Sequence, residues 1–281
     1  MNVIGTGRCD QPLPNGAIEK IVSDACAALA PAGKRVLAVI PDHTRSCPLP
    51  QIARLLHAGI APKAVKFDFL VALGTHPPMS EPMIDKLLGV EPGRRGEVFP
   101  GSRVFNHQWD NPDALTKVGT LTAEKVREIT GGLFAMDIDV TLNRLVFDYD
   151  IVLICGPVFP HEVVGFSGGA KYFFPGICGE ALLNFFHWLG AVITCPKIIG
   201  NKFTPVRACL HAALDMIQGV RTHALCMVVR GHDLCGLYFG GVKDSWSAAA
   251  DLSSQVHVQW LDRPYRSILS RAPEMYDELW V

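Results

Sequence analysis

Three stretches of this chain are apolar almost without interruption: Lys34–Asp42 (KRVLAVIPD), Ala64–Gly74 (AVKFDFLVALG) and Tyr149–Val158 (YDIVLICGPV). A strand with one wet face alternates apolar and polar residues, whereas a strand covered on both faces reads as a continuous run. The segment from Leu49 to Gly59 predicts a helix between the first two runs. Strand, helix and strand within about 40 residues is the βαβ unit of a parallel sheet. The expected fold class is therefore α/β, a parallel or mixed sheet with helices on both faces. Ligands in such sheets sit at the carboxyl ends of the strands. That places DHTR (Asp42–Arg45) and GTH (Gly74–His76), which follow the first two runs, where chemistry is usually done.

The rest of the chain continues this rhythm. Helices are expected over Pro78–Leu88, Glu180–Leu189, Pro205–Gly219 and Asp244–Ser254, a hairpin from HALCMVVRG and LCGLYFGGV, and a last strand over Val256–Leu261. Glu91–Gly101 is a polar, Gly/Pro-rich excursion, and Val104–Leu115 contains the turn-rich NHQWDNPDAL. No internal repeat or low-complexity tract breaks the pattern.

Composition narrows the function classes. A chain of 281 residues makes one large α/β domain or two modest ones, not a disulfide mini-scaffold. Its 26 basic and 27 acidic side chains leave a formal charge of -1, so nothing in the overall charge draws it to nucleic acid or an anionic membrane. Apolar residues reach 49% and mean hydropathy is +0.22. No run approaches the roughly 18 to 20 apolar residues of a membrane helix, so the expected destination of that surface is a core or a subunit interface. The opening MNVIGTGRCDQPLP lacks the basic and apolar regions of a secretory signal, and a cytoplasmic location is expected. Nine cysteines, an odd number with no CxxC pair, read as reduced and mostly buried thiols.

The densest chemistry lies in PHEVVGFSGGAKYFFPG, Pro160–Gly176. A phosphate-binding P-loop needs Gly before its Lys and Ser or Thr after it, but Ala170 precedes Lys171 and Tyr172 follows. HEVVG lacks the second His of a zinc HExxH, because Gly165 stands in its place. Gly165–Gly169 does satisfy G-x-S-x-G, with Ser167 as the nucleophile of a serine hydrolase, although only Val163 and Val164 remain to form the preceding strand. The glycines by themselves require no more than a tight loop. Lys171, set among Tyr172, Phe173 and Phe174, is either a snorkelling side chain or a desolvated amine with a lowered pKa, suited to nucleophilic attack or covalent anchoring. His161 precedes it by ten residues and His187 follows it by sixteen.

Taken in order, DHTR, GTH, NHQWDNPDAL, PHEVVGFSGGAKYFFPG and the helix containing FFHW make the chain resemble the nickel-pincer lactate racemase family of 2-hydroxy-acid racemases and epimerases, from about Val36 to Trp188 and more weakly beyond. The resemblance implies an N-terminal domain of the lactate racemase type. It implies nickel and a pyridinium-3,5-bisthiocarboxylic acid mononucleotide, the nickel-pincer nucleotide, linked to Lys171 through a thioamide-type bond, with His187 completing the metal's coordination. His76 and His161 correspond to the paired acid/base histidines, and Asp42 and Arg45 to residues lining the cofactor and substrate pocket. Ser167, Gly168 and Gly169 fall in the cofactor-binding loop. The activity implied is inversion of a 2-hydroxy acid by reversible hydride transfer. The implied partners are a small-molecule 2-hydroxy acid, the cofactor-biosynthesis enzymes, and either a second copy of the chain or a complementary C-terminal subunit, with no nucleic acid or membrane.

Two departures from the family pattern bear on that expectation. Pro77 follows the GTH motif where most relatives have arginine. The closing RAPEMYDELWV resembles the linker into a second domain, whose Lys-Gly-Met segment is not reached. Residues 1–262 are thus expected to be the cofactor-binding catalytic domain and 263–281 the start of a C-terminal domain otherwise absent. Two alternatives stay open: a catalytically inactive relative that binds cofactor or a partner, and the hydrolase on Ser167.

Overall fold

The computed structural model describes residues 2–263, 265–267, 269 and 271. The stretch expected as a linker, 263–281, therefore lies largely outside the described residues. In chain order the elements are β1 (Ile4–Gly7), α1 (Asn15–Leu29), β2 (Arg35–Pro41), α2 (Leu49–Ile60), β3 (Lys66–Ala72), α3 (Glu81–Leu87), α4 (Arg95–Val98) and β4 (Val104–Asn106). An antiparallel ribbon of β5 (Leu115–Leu121) and β6 (Ile138–Asn143) brackets α5 (Ala123–Thr130). Next come β7 (Ile151–Pro157), the short hairpin of β8 (Pro160–His161) and β9 (Gly165–Phe166), and α6 (Glu180–Ile193). The elements then run α7 (Cys195–Ile198), α8 (Pro205–Leu214), β10 (Arg221–Arg230), β11 (Asp233–Gly241) and α9 (Val242–His257).

Seven strands form one mixed sheet in the order β1-β11-β10-β7-β2-β3-β4. From β10 to β4 all neighbours are parallel, and β11 and β1 add an antiparallel edge. The apolar runs occupy its centre because they supply side chains to both faces. Val36, Ala38 and Ile40 of β2 pack with Ile151, Leu153 and Cys155 of β7 against the side covered by α1, α2 and α3. Leu37, Val39, Val152 and Ile154 point the other way, toward α6, α8 and α9. Period-two alternation thus divides one continuous run between two cores.

One expected element is not a strand. Val256 and His257 belong to the last turn of α9, and 258–261 form no strand. The helical repeat Val242, Trp246, Ala249, Ala250 and Ser253 buries a face against the sheet, and His257 holds that end by bonding the Val229 carbonyl at 2.7 Å. The helix expected to Gly219 ends at Leu214. All nine cysteines are free, and Cys195 alone is exposed. Among the described residues no helix is long and apolar enough to cross a membrane.

Candidate active site

The parallel strands β2, β3 and β7 end side by side, with Pro41 in register with Ala72, and each is followed directly by a candidate motif. Asp42 comes immediately after β2 and is 3% exposed. His76 lies in the turn after β3, where its Nδ1 is 2.5 Å from Asp42 Oδ2. The other carboxylate oxygen of Asp42 accepts the Thr44 amide at 3.0 Å and the Thr44 hydroxyl at 2.6 Å. Burial would raise this carboxyl's pKa, but the bonds from His76 and Thr44 outweigh it and hold Asp42 below its ordinary value. Asp42 is therefore an ionised acceptor that keeps a proton on His76 Nδ1 and fixes the orientation of the ring.

After β7 the chain makes the β8–β9 hairpin and a tight turn, Gly169–Tyr172, that presents Lys171. The turn is pressed against α9. A Cβ on Gly169, whose φ is +57°, would meet the Trp246 side chain at 2.7 Å, and one on Gly168 would meet Val158 at 2.5 Å. Trp246 Nε1 donates to the Ser167 carbonyl at 2.9 Å. A bond from the Gly74 amide to the Gly176 carbonyl at 3.0 Å joins this segment to the loop holding His76.

Ser167 is not poised as a nucleophile. Its Oγ accepts the Phe159 amide at 2.8 Å and lies 3.5 Å from the Pro157 carbonyl. No histidine bonds to it among the described residues, and β9 ahead of it has only two residues. The geometry therefore gives the serine hydrolase reading no support, and the hydroxyl closes the loop instead.

Lys171 is half-buried. Loss of water and the charges of Arg45 and Arg207 push its pKa down to about 7, against the opposing pull of Glu162 and Asp42. His161, whose side chain is 13% exposed, is held well below its ordinary value by burial and then by Lys171, Arg45, Arg207 and His187. Its Nδ1 lies 3.1 Å from the Val163 amide nitrogen and 3.3 Å from Glu162 Oε2. His187 stands on the exposed side of α6, with its pKa lowered by partial burial and by the charge of Lys171. The charges acting on His161 and Lys171 thus bring DHTR, PHEVVG, the Lys171 turn, α6 and α8 together around one site.

Residues 15–198 match the family described as the lactate racemase N-terminal domain. The chain belongs to that family. The match begins earlier than the resemblance suggested and takes in α1. Within the lactate racemase family the chain is 26% identical over 216 residues to the lactate racemase of Lactiplantibacillus plantarum, which covers 74% of this chain and 44% of that protein. A crystal structure of a Thermotoga maritima protein superposes with a TM-score of 0.86 at 32% identity, covering 98% of this chain and 66% of that one. The lactate racemase apoprotein of Thermoanaerobacterium thermosaccharolyticum shares the fold, with a TM-score of 0.67 at 20% identity over 85% of this chain and 55% of that one. The chain thus spans less than half the length of the curated lactate racemase it matches.

The sequence did not single out Arg207, which braces the loop leading to Lys171. It is 2% exposed on α8, donates to the Gly168 carbonyl at 3.2 Å and to the Phe166 carbonyl, and lies 4.2 Å from the Trp246 ring centroid. The available signal was an arginine inside the apolar stripe Val206, Leu210 and Ala213. NHQWDNPDAL, by contrast, contributes a strut. His107 is buried, bonding the Cys178 carbonyl at 3.1 Å and Asn143 at 3.0 Å, and burial pushes its pKa down to about 4.

Proposed function

We propose that this chain is the cofactor-holding, acid/base part of a nickel-dependent 2-hydroxy-acid racemase or epimerase. The observation that carries the reading is that the Asp42–His76 pair, 2.5 Å apart at the ends of β2 and β3, the half-buried amine of Lys171, on which Asp42 acts, and His161, on which Lys171 acts, meet at the carboxyl end of the sheet. A lysine near neutrality is available for covalent attachment without an auxiliary base.

The residues present fit the nickel-pincer nucleotide. Arg45 and Arg207 both act on His161 and Lys171, and a guanidinium fork matches an anionic phosphate. Among the described residues no three His, Cys, Asp or Glu side chains form a metal cage. His187 would be the protein's ligand to the metal, and the soft donors that the family resemblance implies for the nucleotide suit nickel. Lys171 would hold the nucleotide covalently, Arg45 its phosphate or the substrate carboxylate, and the Ser167–Gly168–Gly169 backbone its flank. When bound, the nucleotide supplies the hydride acceptor.

The protein's own work is proton transfer. The Cα–H of a 2-hydroxy acid is too weakly acidic for a side-chain base, so it leaves more readily as hydride while the hydroxyl proton departs. His76 Nε2 is arranged to take that proton, with Asp42 stabilising the imidazolium. His161 is assigned as the second acid/base group: protonated from solvent, its imidazolium would return a proton to the carbonyl oxygen as hydride adds to the other face, and the two histidines would exchange these roles for the other enantiomer. In loaded protein, His76→Ala and His161→Ala are each expected to abolish enantiomer interconversion while nickel remains bound. Normal interconversion by either variant would overturn the assignment.

A further inference from the structure

Tyr172 closes the turn that presents Lys171, and its ring lies on the carboxyl end of β7. A Cβ on Gly156 would fall on the Tyr172 hydroxyl oxygen and Cζ and would lie 2.7 Å from Cε2. The phenol therefore occupies the space that the missing side chain leaves. Ile154 of β7 is in register with Val39 of β2, so Gly156 and Pro41, each two residues further on, lie side by side at the strand ends, and Asp42 follows Pro41. We propose that the Tyr172 hydroxyl donates a hydrogen bond to an oxyanion of the bound ligand, a carboxylate or a phosphate, in the site that also holds Lys171 and the Asp42–His76 pair. The proposal rests on the racemase reading only for the molecule to which that oxyanion belongs.

The observation that carries it is a hydroxyl without a partner. Tyr172 is 9% exposed, yet among the described residues no group hydrogen-bonds to its oxygen. Buried polar groups are nearly always paired, and one left unmade costs stability. Tyr149 shows the contrast: it is 2% exposed, and its hydroxyl donates to Asp68 at 2.5 Å. The Asp42 carboxylate, which stands next along the chain from Pro41, is already occupied. One oxygen faces His76 Nδ1, and the other accepts the amide and the hydroxyl of Thr44. The Tyr172 oxygen is not wholly sealed in the core, so a molecule in the site can reach it.

The group is held as a donor. Burial pushes the phenol's pKa well above its ordinary value, so it keeps its proton through the neutral range. An acceptor that carries negative charge makes the shorter and stronger bond to such a donor. Cationic residues border the same place: Lys171 precedes Tyr172 in the turn, and the Arg45 amide folds back onto the Asp42 carbonyl at 3.4 Å directly after β2. The backbone behind the phenol is fixed before any ligand arrives. The Gly176 amide donates to the Lys171 carbonyl at 3.1 Å, and a Cβ on Gly176 would meet the Tyr172 carbonyl carbon at 2.8 Å. A donor placed in advance spends little ordering entropy when the ligand binds.

The test is a titration of the chain itself with two probes, oxalate for the carboxylate of a 2-hydroxy or 2-oxo acid and inorganic phosphate for that of a nucleotide. With tyrosine ¹³C-labelled at Cζ, the resonance absent from Tyr172→Phe reports this phenol. Phenylalanine keeps the ring over Gly156 and removes the oxygen alone. At least one probe is expected to shift the Tyr172 resonance saturably and to bind about tenfold more weakly to Tyr172→Phe. A loss confined to oxalate assigns the substrate carboxylate, a loss confined to phosphate assigns the nucleotide, and a loss of both assigns a seat that either can fill. Without a probe, Tyr172→Phe is expected to melt no lower than the parent, because no bond within the fold is lost. No shift with either probe, equal affinities of parent and variant, or a lowered Tm of the variant without probe would each overturn the proposal. Intact mass of cofactor-loaded samples separates the two readings. A Lys171 adduct with no effect of Tyr172→Phe removes the phenol's role alone, and an effect of Tyr172→Phe with no adduct removes the cofactor reading while leaving the oxyanion seat standing.

Discussion

His76 Nδ1 and Asp42 Oδ2 are 2.5 Å apart, and the pair is built by two parallel strands whose ends are held in register at Pro41 and Ala72. The carboxylate orients the ring and holds a proton on Nδ1. At His161 the Val163 amide and the Glu162 carboxylate both face Nδ1, at 3.1 and 3.3 Å.

Asp42→Asn keeps the size of the side chain but replaces the anionic acceptor. The expected result is a loss of interconversion of about 10²–10⁴-fold in loaded protein, as when an orienting carboxylate is removed from a catalytic histidine. Imidazole ¹⁵N shifts should show His76 losing its Nδ1–H tautomer, with Lys171 attachment unchanged. Activity within a few-fold of the parent would exclude the role.

The Lys171 pKa of about 7 predicts that limited acylation, followed by peptide mass, is half-maximal near pH 7 and falls as pH drops through that value, when the amine protonates. It has a stability consequence of defined sign. Between about 7 and the ordinary 10.5 the unfolded chain binds a proton that the folded chain does not, so this group's contribution to stability rises with pH across the window. Lys171→Met is therefore expected to raise Tm at pH 7, with the gain shrinking as pH approaches 10.5.

Arg207→Met leaves the Phe166 and Gly168 carbonyls without their charged donor and should destabilise the fold by about 2 kcal/mol, measured by urea unfolding. Removing this cation should also move the midpoint of Lys171 acylation to higher pH. A stability loss with an unmoved midpoint would make Arg207 purely structural.

Gly169→Ala should destabilise more than Gly93→Ala. Both positions have positive φ, +57° and +78°, but a Cβ on Gly169 strikes Trp246 whereas one on Gly93 meets nothing within 4 Å. The backbone cost, about 1 kcal/mol, is shared, so the excess measured by thermal unfolding reports how tightly the Lys171 turn is seated on α9. Equal losses would mean that Trp246 yields.

The parallel centre of the sheet was legible because β2, β3 and β7 are buried on both faces and need no partner to reveal it. The placement of Asp42 and His76 followed, since strand ends are where such sheets put their ligands. Other features depend on distant parts of the chain. Val256–Leu261 has strand-like composition, yet Val256 continues the helical repeat begun at Val242, and docking of α9 decides between them. Arg207 and Trp246 lie 36 and 75 residues beyond Lys171 in the chain. Only the folded arrangement shows that one clamps the carbonyls before that lysine and the other sets the space for Gly169.

Lys171 is proposed here as the anchor of a nickel-bearing nucleotide. Its most direct test is intact and peptide mass spectrometry, with metal analysis, of the chain co-expressed with the cofactor-making enzymes. One adduct is expected, confined to the Lys171 peptide, with one nickel per chain, lost in Lys171→Ala and retained in Ser167→Ala. An unmodified Lys171 and no bound nickel under those conditions would contradict it.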